Sequence, residues 1–168
     1  MAMTPNAMAN AIISRLNKET DANNAINKFY KALCDYVESN AQVFYSWIAF
    51  LTSTPFSPDP QVVIQATIKT SGFLSPNGAT TCEAAMSLFS ADLNRNAALW
   101  QIIFPAGFAL SPAFIIPTIN ITPSMATEQQ SAMLAVCTQI IAGLKMATPA
   151  AAGSHISFVG SATFTQII

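Results

Sequence analysis

Residues 20–51 read TDANNAINKFYKALCDYVESNAQVFYSWIAFL and carry the clearest periodicity in the chain. Apolar residues recur there at intervals of three and four, which is the spacing of one face of an α-helix. The segment therefore predicts a long amphipathic helix that begins near Asp21 and continues to Leu51, with a possible bend at 39–40. The apolar positions are Ile26, Phe29, Tyr30, Leu33, Val37, Phe44, Trp47, Ile48 and Leu51. The charged positions on the other face are Lys28, Lys31, Asp35 and Glu38.

Three further helices are predicted around this segment. Thr4 followed by Pro5 favours a helix start, because threonine is a common N-cap and proline suits the first helical position. That helix is expected to run to Leu16. A threonine followed three residues later by glutamate or glutamine has the spacing of a capping box. This spacing predicts two more helices, over 80–104 and 127–145.

Two segments alternate apolar and polar residues with the period of a β-strand, 62–69 and 155–165. The fold class predicted is mainly α (α+β), with about four helices and a small β element formed by 62–69 and 155–165. The chain is predicted to form one domain, 1–168. Within it, 105–123 is expected to be an apolar, proline-rich arm. The C-terminal strand, 154–168, is expected either to pair with 62–69 or to dock on a neighbouring subunit.

Charged residues are scarce and unevenly distributed. They make up 9% of the chain, against about 25% in typical soluble proteins. Eight of the fifteen fall between Arg15 and Glu38, whereas 96–168 holds only Glu128 and Lys145. A surface with so few charges has little to keep it dispersed in water. We therefore expect the C-terminal half to be covered, either by other protein or by lipid.

Several kinds of partner are disfavoured. Seven scattered lysines and arginines do not form the basic stripe that a nucleic-acid partner requires. The apolar segment 97–121 is long enough to suggest a membrane span. Pro105, Pro112 and Pro117 interrupt it, however, and a helix broken by prolines leaves backbone groups unpaired in lipid. Membrane insertion is therefore disfavoured.

No residue pattern points to catalysis, a cofactor or a metal. His155 is the single histidine and has no carboxylate between itself and Glu128, so a base with an orienting partner is not indicated. The three cysteines are far apart and form no C-x-x-C motif, which favours small buried side chains in a reducing compartment. The sequence predicts no enzyme, no catalytic residue, no cofactor, no metal site and no small-molecule substrate.

Apolar residues of the arm and the terminal strand are the candidate interface residues, since uncharged apolar segments are a liability unless something covers them. For 108–121, burial in the chain's own core and burial in an interface are equally open. The candidates are Phe108, Phe114, Ile115, Ile116, Ile119, Ile121, Ile156, Phe158 and Phe164.

Three short motifs carry a resemblance that covers most of the chain as an order of elements. They are TPNAMA at 4–9, AALW at 97–100, and KMATP at 145–149 leading into SFVGSA at 157–162. In these the chain resembles small structural proteins of tailed-bacteriophage particles. The resemblance implies a virion component of the tail, neck or baseplate, assembled in the host cytoplasm. It also implies symmetric copies of the chain and other virion proteins as partners, and it supplies no catalytic residues.

The function expected from the sequence is that of a structural subunit that acts by packing against its neighbours. The alternatives are a membrane-associated helical protein, and a capsid-decorating or ligand-binding module that uses the apolar surface as a groove.

Overall fold

A computed structural model describes residues 2–51, 62–70, 81–97, 100–103, 108–110, 119–122, 125–146, 150–155 and 158–168. Four helices and six strands lie in these residues. The helices are α1 (Pro5–Leu16), α2 (Ala22–Asn40), α3 (Cys82–Ala97) and α4 (Gln129–Lys145). The strands are β1 (Gln42–Leu51), β2 (Val62–Lys69), β3 (Gln101–Ile103), β4 (Phe108–Leu110), β5 (Ala150–His155) and β6 (Phe158–Ile167). The helices hold more residues than the strands, so the predicted mainly α (α+β) class is confirmed.

Local signals set the starts of the first two helices. The Thr4 side chain caps α1 by accepting a hydrogen bond from the Ala7 amide at 3.4 Å, and Pro5 occupies the first turn. The Asp21 carboxylate caps α2 in the same way, accepting from the Asn24 amide at 2.8 Å. Each cap satisfies an amide that has no partner within the helix. The predicted bounds of α1 and the predicted start of α2 are confirmed.

The prediction that α2 continues to Leu51 is wrong. The helix ends at Asn40, Ala41 is extended (φ −74°, ψ 137°), and the chain enters β1 directly. Residues 42–51 are rich in β-branched and aromatic types, which suit a strand. They pair with β2 on one side and β6 on the other. Residues 43–51 are apolar at nearly every position, so they match the spacing of a helix as well as that of a strand. Pairing with β2 and β6 decides in favour of the strand.

The predicted boundaries of the later helices also need correction. Helix α3 ends at Ala97 rather than at residue 104, and Gln101–Ile103 forms β3. The Thr81 hydroxyl accepts a hydrogen bond from the Ala84 amide at 3.1 Å at the start of this helix, whereas Thr80, from which the capping box was predicted, lies outside the described residues. Helix α4 is confirmed close to its predicted bounds. Its N-cap is Glu128, with no capping bond from that side chain, so the capping box predicted from Thr127 is absent.

The strands form one antiparallel sheet in the order β3-β2-β1-β6-β5-β4. The predicted strand at 62–69 is confirmed as β2. The predicted strand at 155–165 is divided, because His155 ends β5 and Phe158 begins β6. The predicted pairing of these two segments is wrong, since β1 lies between β2 and β6. The sheet is therefore larger than the predicted β element, with β6 in its interior.

The core lies where the helices meet one end of the sheet. Helix α1 packs on both α2 and α4, and Met8, Ile12, Leu33, Ile140 and Leu144 are fully buried there. The sheet contributes buried residues from the start of β1 and from the ends of β2 and β6. These are Val43, Ala66, Ile68 and Ile167.

Cys34 and Cys137 are free thiols buried in this core. Burial raises the pKa of the Cys34 thiol to about 11 and that of Cys137 to about 12, because a thiolate is poorly solvated there. Both side chains are therefore neutral at pH 7 and pack as small apolar groups.

Candidate interaction surface

The end of the predicted arm is bound to the chain's own helices. Gln139 of α4 clamps the backbone of Thr122: its side-chain oxygen accepts from the Thr122 amide at 2.7 Å, and its amide nitrogen donates to the Thr122 carbonyl at 3.0 Å. The Ser90 hydroxyl of α3 accepts from the Ile121 amide at 3.0 Å. Residues 119–122 thus bridge α3 and α4. Nothing in the sequence marked Gln139 or Ser90 for this role.

Ile119 is 3% exposed and packs against α4 at Gly143. A Cβ atom at Gly143 would lie 2.5 Å from Cγ1 of Ile119, closer than packed carbons can approach. The glycine therefore allows the segment to lie directly on the helix. Of the two alternatives left open for 108–121, burial in the core holds for Ile119.

Replacing Gly143 with alanine is expected to destabilise the protein. Alanine gains about 1 kcal/mol of helix propensity over glycine, but overpacking at this contact costs roughly 1–3 kcal/mol. Ile119 is buried and the Gln139 clamp holds the nearby Thr122 backbone, so the isoleucine has little room to move aside. We expect a lower urea midpoint for Gly143→Ala, and a recovery of stability when Ile119→Ala is added. A Gly143→Ala protein as stable as the wild type would show that the contact is not tight.

The other interface candidates fall into three groups. Ile121 is half-buried and packs against the core. Phe108 begins the edge strand β4, whereas Phe158 and Phe164 lie in β6, opposite Leu51 and Tyr45 of β1. Phe114, Ile115, Ile116 and Ile156 lie outside the described residues. The expectation that the terminal strand is free to dock on a neighbour is wrong, because β6 is hydrogen-bonded on both sides within the chain.

Large apolar side chains are exposed at four described positions, three of which lie in the charge-poor segment 96–168. In the described residues they are Leu88 of α3 at 38%, Ile103 of β3 at 47%, Met125 at 95% and Met146 at 69%. Met125 and Met146 flank the two ends of α4. The α4 surface between them presents exposed Ser131, Thr138 and Ala142, which are small and uncharged. This surface, from Met125 along α4 to Met146, is called the α4 surface below.

The charged side chains cluster on α1 and α2 and pair with one another. Arg15 of α1 lies 2.8 Å from Asp35 of α2, and Lys28 lies 2.6 Å from Glu19. The hydrogen bond from Lys28 is the largest cause that lowers the pKa of Glu19, followed by the Asp21 backbone amide. These exposed pairs add little stability, but they give this side of the molecule an ordinary hydrated surface.

A buried polar group joins α2 to α3. Asp92 is 1% exposed, and its carboxylate lies 3.5 Å from the Arg95 guanidinium. Tyr30, 3% exposed, donates a hydrogen bond from its hydroxyl to the Phe89 carbonyl at 3.4 Å. Burial raises the pKa of the Tyr30 phenol above its usual range, and the nearby Asp92 charge raises it further. Nothing in the sequence of α3 indicates which partner the Asp92 carboxylate meets, so this buried group was not predicted.

Within the described residues, a shallow groove lies between α1 and α2. It has a volume of about 240 Å³ and is lined by the Arg15–Asp35 ion pair, Tyr36, Ser39 and Asn40. Ligand pockets are typically about 300–1,000 Å³ and mostly apolar. This groove is smaller and has an ion pair in its wall, so it does not fit the apolar groove that the ligand-binding alternative requires.

Within the described residues, no three side chains of histidine, cysteine, aspartate or glutamate gather in a way that could hold a metal ion. None of the described helices combines the length and the apolar character needed to cross a membrane. Comparisons with protein-family models, with curated proteins and with solved structures give no match to this chain.

Proposed function

We propose that this protein is a structural subunit of a multi-protein assembly, and that it acts by packing against copies of itself and other proteins rather than by catalysis. The observation that supports this most is the α4 surface. Met125 and Met146 are 95% and 69% exposed on it, and Glu128 and Lys145 are the only charged residues from 96 to 168. Both of these charges lie on the α4 surface, one at each end of the helix, and residues 129–144 between them carry none. Exposed apolar side chains on so weakly charged a surface are typical of surfaces that other protein covers.

Within this class, we propose a component of a tailed-phage particle, from the tail, neck or baseplate. The resemblance of the motifs at 4–9, 97–100 and 145–162 supports this. Detection of the chain by mass spectrometry in purified particles from its source would test the assignment. Its absence from intact particles, together with its presence in the host lysate, would overturn it.

Replacing both methionines of the α4 surface with aspartate is expected to weaken self-association. Burying one methionine stabilises a complex by about 1.5–3 kcal/mol, and every 1.4 kcal/mol is about tenfold in the dissociation constant. We therefore expect Met125→Asp with Met146→Asp to raise the dissociation constant at least about tenfold. Light scattering with size-exclusion chromatography over a range of concentrations measures it.

Asn23→Asp is the matched control, because it adds a negative charge at an exposed polar position of α2, outside the α4 surface. Thermal unfolding of each variant verifies that the fold is retained. A wild-type chain that stays monomeric up to about 1 mM, the weakest affinity of interest, would contradict self-assembly through this surface. Equal effects of the methionine and asparagine variants would show that the weakening is not specific to the α4 surface.

A further inference from the structure

The exposed face of α4 has charges of opposite sign at its two ends. Glu128 is the N-cap residue and Lys145 is the last residue of the helix, and both are exposed. The helix has 17 residues and is therefore about 26 Å long, too long for the two side chains to pair with each other. Among the described residues, neither side chain forms an ion pair, and Glu128 does not cap the helix.

Contacts within the chain occupy the flanks of α4 and leave this face open. On one flank, Gln130 donates a hydrogen bond to Asn10 of α1 at 3.0 Å. On the other flank, Gly143 lies against Ile119. Successive helical residues are about 100° apart around the axis, so the open face lies between these two contacts. Its exposed residues are Glu128, Ser131, Thr138, Ala142 and Lys145.

The residues of this face recur at the spacing by which helices pack together. When the half-buried Ala135 is included, the positions from Glu128 to Lys145 are three, four, three, four and three residues apart. An alternation of three and four is the repeat along which two helices pack. The intervals are the same when they are read from either end. The face therefore suits an antiparallel copy of itself, as a self-complementary two-fold interface requires.

The charges at the ends favour the antiparallel direction. When two copies pack antiparallel about a two-fold axis, Glu128 of each copy lies opposite Lys145 of the other, and both charges gain a partner. Parallel packing would place each charge opposite its own counterpart, and like charges in contact repel. We propose that the protein self-associates by pairing α4 with α4 of a second copy, antiparallel, about a two-fold axis at the level of residues 136 and 137.

The side chains between the charges allow the two helices to approach closely. In this register Ser131 lies opposite Ala142 of the second copy, and Ala135 lies opposite Thr138 of the second copy. The axes of packed helices lie about 8–10 Å apart, depending on the side chains at the contact. Short side chains favour the lower end of that range. At this separation the longer charged side chains at both ends reach the opposite helix.

The exposed methionines fit the same arrangement. Met125 precedes Glu128 and Met146 follows Lys145, so antiparallel packing brings Met125 of one copy to the same end as Met146 of the other. Both methionines, 95% and 69% exposed in the single chain, are then covered at each end of the pair. The pairing rests on the proposed function, since it requires the α4 surface to be covered by protein, and it adds the partner, the direction and the register.

Charge reversal tests the antiparallel pair. Glu128→Lys and Lys145→Glu each place like charges opposite each other at both ends of a pair of identical copies. We expect either variant to raise the dissociation constant at least about tenfold, because two attractions become two repulsions at one interface. Mixing the two variants restores opposite charges at both ends, and we expect the mixture to associate as tightly as the wild type. Analytical ultracentrifugation over a range of concentrations measures these constants.

The double variant Glu128→Lys with Lys145→Glu separates pairing from helix stability. Each single reversal opposes the helix dipole at one end of α4, and the double variant opposes it at both ends. Pairing predicts that the double variant associates like the wild type, whereas helix destabilisation predicts that it associates least. Lys18→Glu is the control for net charge, because Lys18 is exposed and lies outside α4. Thermal unfolding verifies that each variant is folded.

Cysteine cross-linking tests the register directly. We expect Ser131→Cys with Ala142→Cys to form a covalent dimer on mild oxidation, because the two positions face each other across the axis. Ser131→Cys alone is the control for direction, since its two copies lie about 16 Å apart along an antiparallel pair. Peptide mapping by mass spectrometry distinguishes the new bond from the native cysteines. A dimer formed by the single variant and not by the double variant would overturn antiparallel pairing.

The outcomes also separate this pairing from the proposed function. A wild type that self-associates, with both charge reversals within about twofold of Lys18→Glu, overturns the antiparallel pair. If the double methionine variant still weakens association in that case, the α4 surface remains the interface and only its partner geometry is wrong. A double charge variant that associates less than either single reversal overturns the pair as well. A wild type that stays monomeric up to about 1 mM contradicts both the pair and self-assembly through this surface.

Discussion

Removal of residues 158–168 is expected to abolish the native fold, not merely the ability to assemble. Strand β6 is the partner of β1 from Val43 to Leu51 and of β5 along its whole length. The backbone of Ile168 also exchanges two hydrogen bonds with that of Gln42, at 2.9 and 3.0 Å. Without β6 the sheet is divided in two, and the inner edges of β1 and β5 are exposed. A terminal strand that only docked on a neighbouring subunit could be removed with the fold intact, but the place of β6 inside the sheet excludes that outcome.

Near-ultraviolet circular dichroism and urea unfolding measure the effect of the truncation. We expect loss of the near-ultraviolet signal and of a cooperative transition. Two adjacent isoleucines provide a graded control, since Ile167 is 1% exposed and Ile168 is half-buried. Ile167→Ala is expected to lower the free energy of unfolding by about 2–5 kcal/mol, and Ile168→Ala is expected to lower it clearly less. A truncated chain that unfolds cooperatively with native stability would show that β6 is dispensable.

Replacement of Asp92 with alanine is expected to be the most destabilising change at a charged residue. The Asp92 side chain is 2% exposed and pairs with Arg95 at 3.5 Å. Removing one charge of a buried ion pair leaves the other charge buried without its partner, which typically lowers the free energy of unfolding by about 3–5 kcal/mol. The Arg95 side chain is 36% exposed and can reach water, so we expect a smaller loss of about 2–4 kcal/mol.

Asp35→Ala is the matched control for Asp92→Ala. Asp35 pairs with both Arg15 and Lys31, but its side chain is 46% exposed. Exposed pairs contribute about 0–1 kcal/mol each, so we expect Asp35→Ala to lower the free energy of unfolding only slightly. Urea unfolding monitored by fluorescence measures both variants. Equal losses at the two positions would show that burial of the Asp92 carboxylate is not what stabilises the contact between α2 and α3.

These features change how the subunit is expected to contact its neighbours. Two segments that the sequence favoured for docking, the terminal strand and the end of the arm, are bound within the chain. Strand β6 lies inside the sheet, and residues 119–122 are held by Gln139 and Ser90. The α4 surface takes their place in the proposal, because its exposed methionines are not used by the chain itself.

The sequence by itself determined the elements whose signals are local. Thr4 with Pro5 fixed the start of α1, and Asp21 with the apolar spacing that follows it placed the start and the buried face of α2. In each case a cap or a helical stripe depends on residues within a few positions of one another. The alternation at 62–69 identified β2 for the same reason.

Tertiary structure alone decided the remaining features. The run from Val43 to Leu51 is apolar at nearly every position, so it satisfies the spacing of a helix and of a strand alike. Its strand conformation depends on β6, more than a hundred residues later in the chain, whose pairing no local pattern reveals. The burial of Ile119 likewise depends on the absence of a side chain at Gly143. The spacing of apolar residues predicts which side chains lie on the same face of a helix or strand. Which other element that face packs against is determined by the tertiary fold.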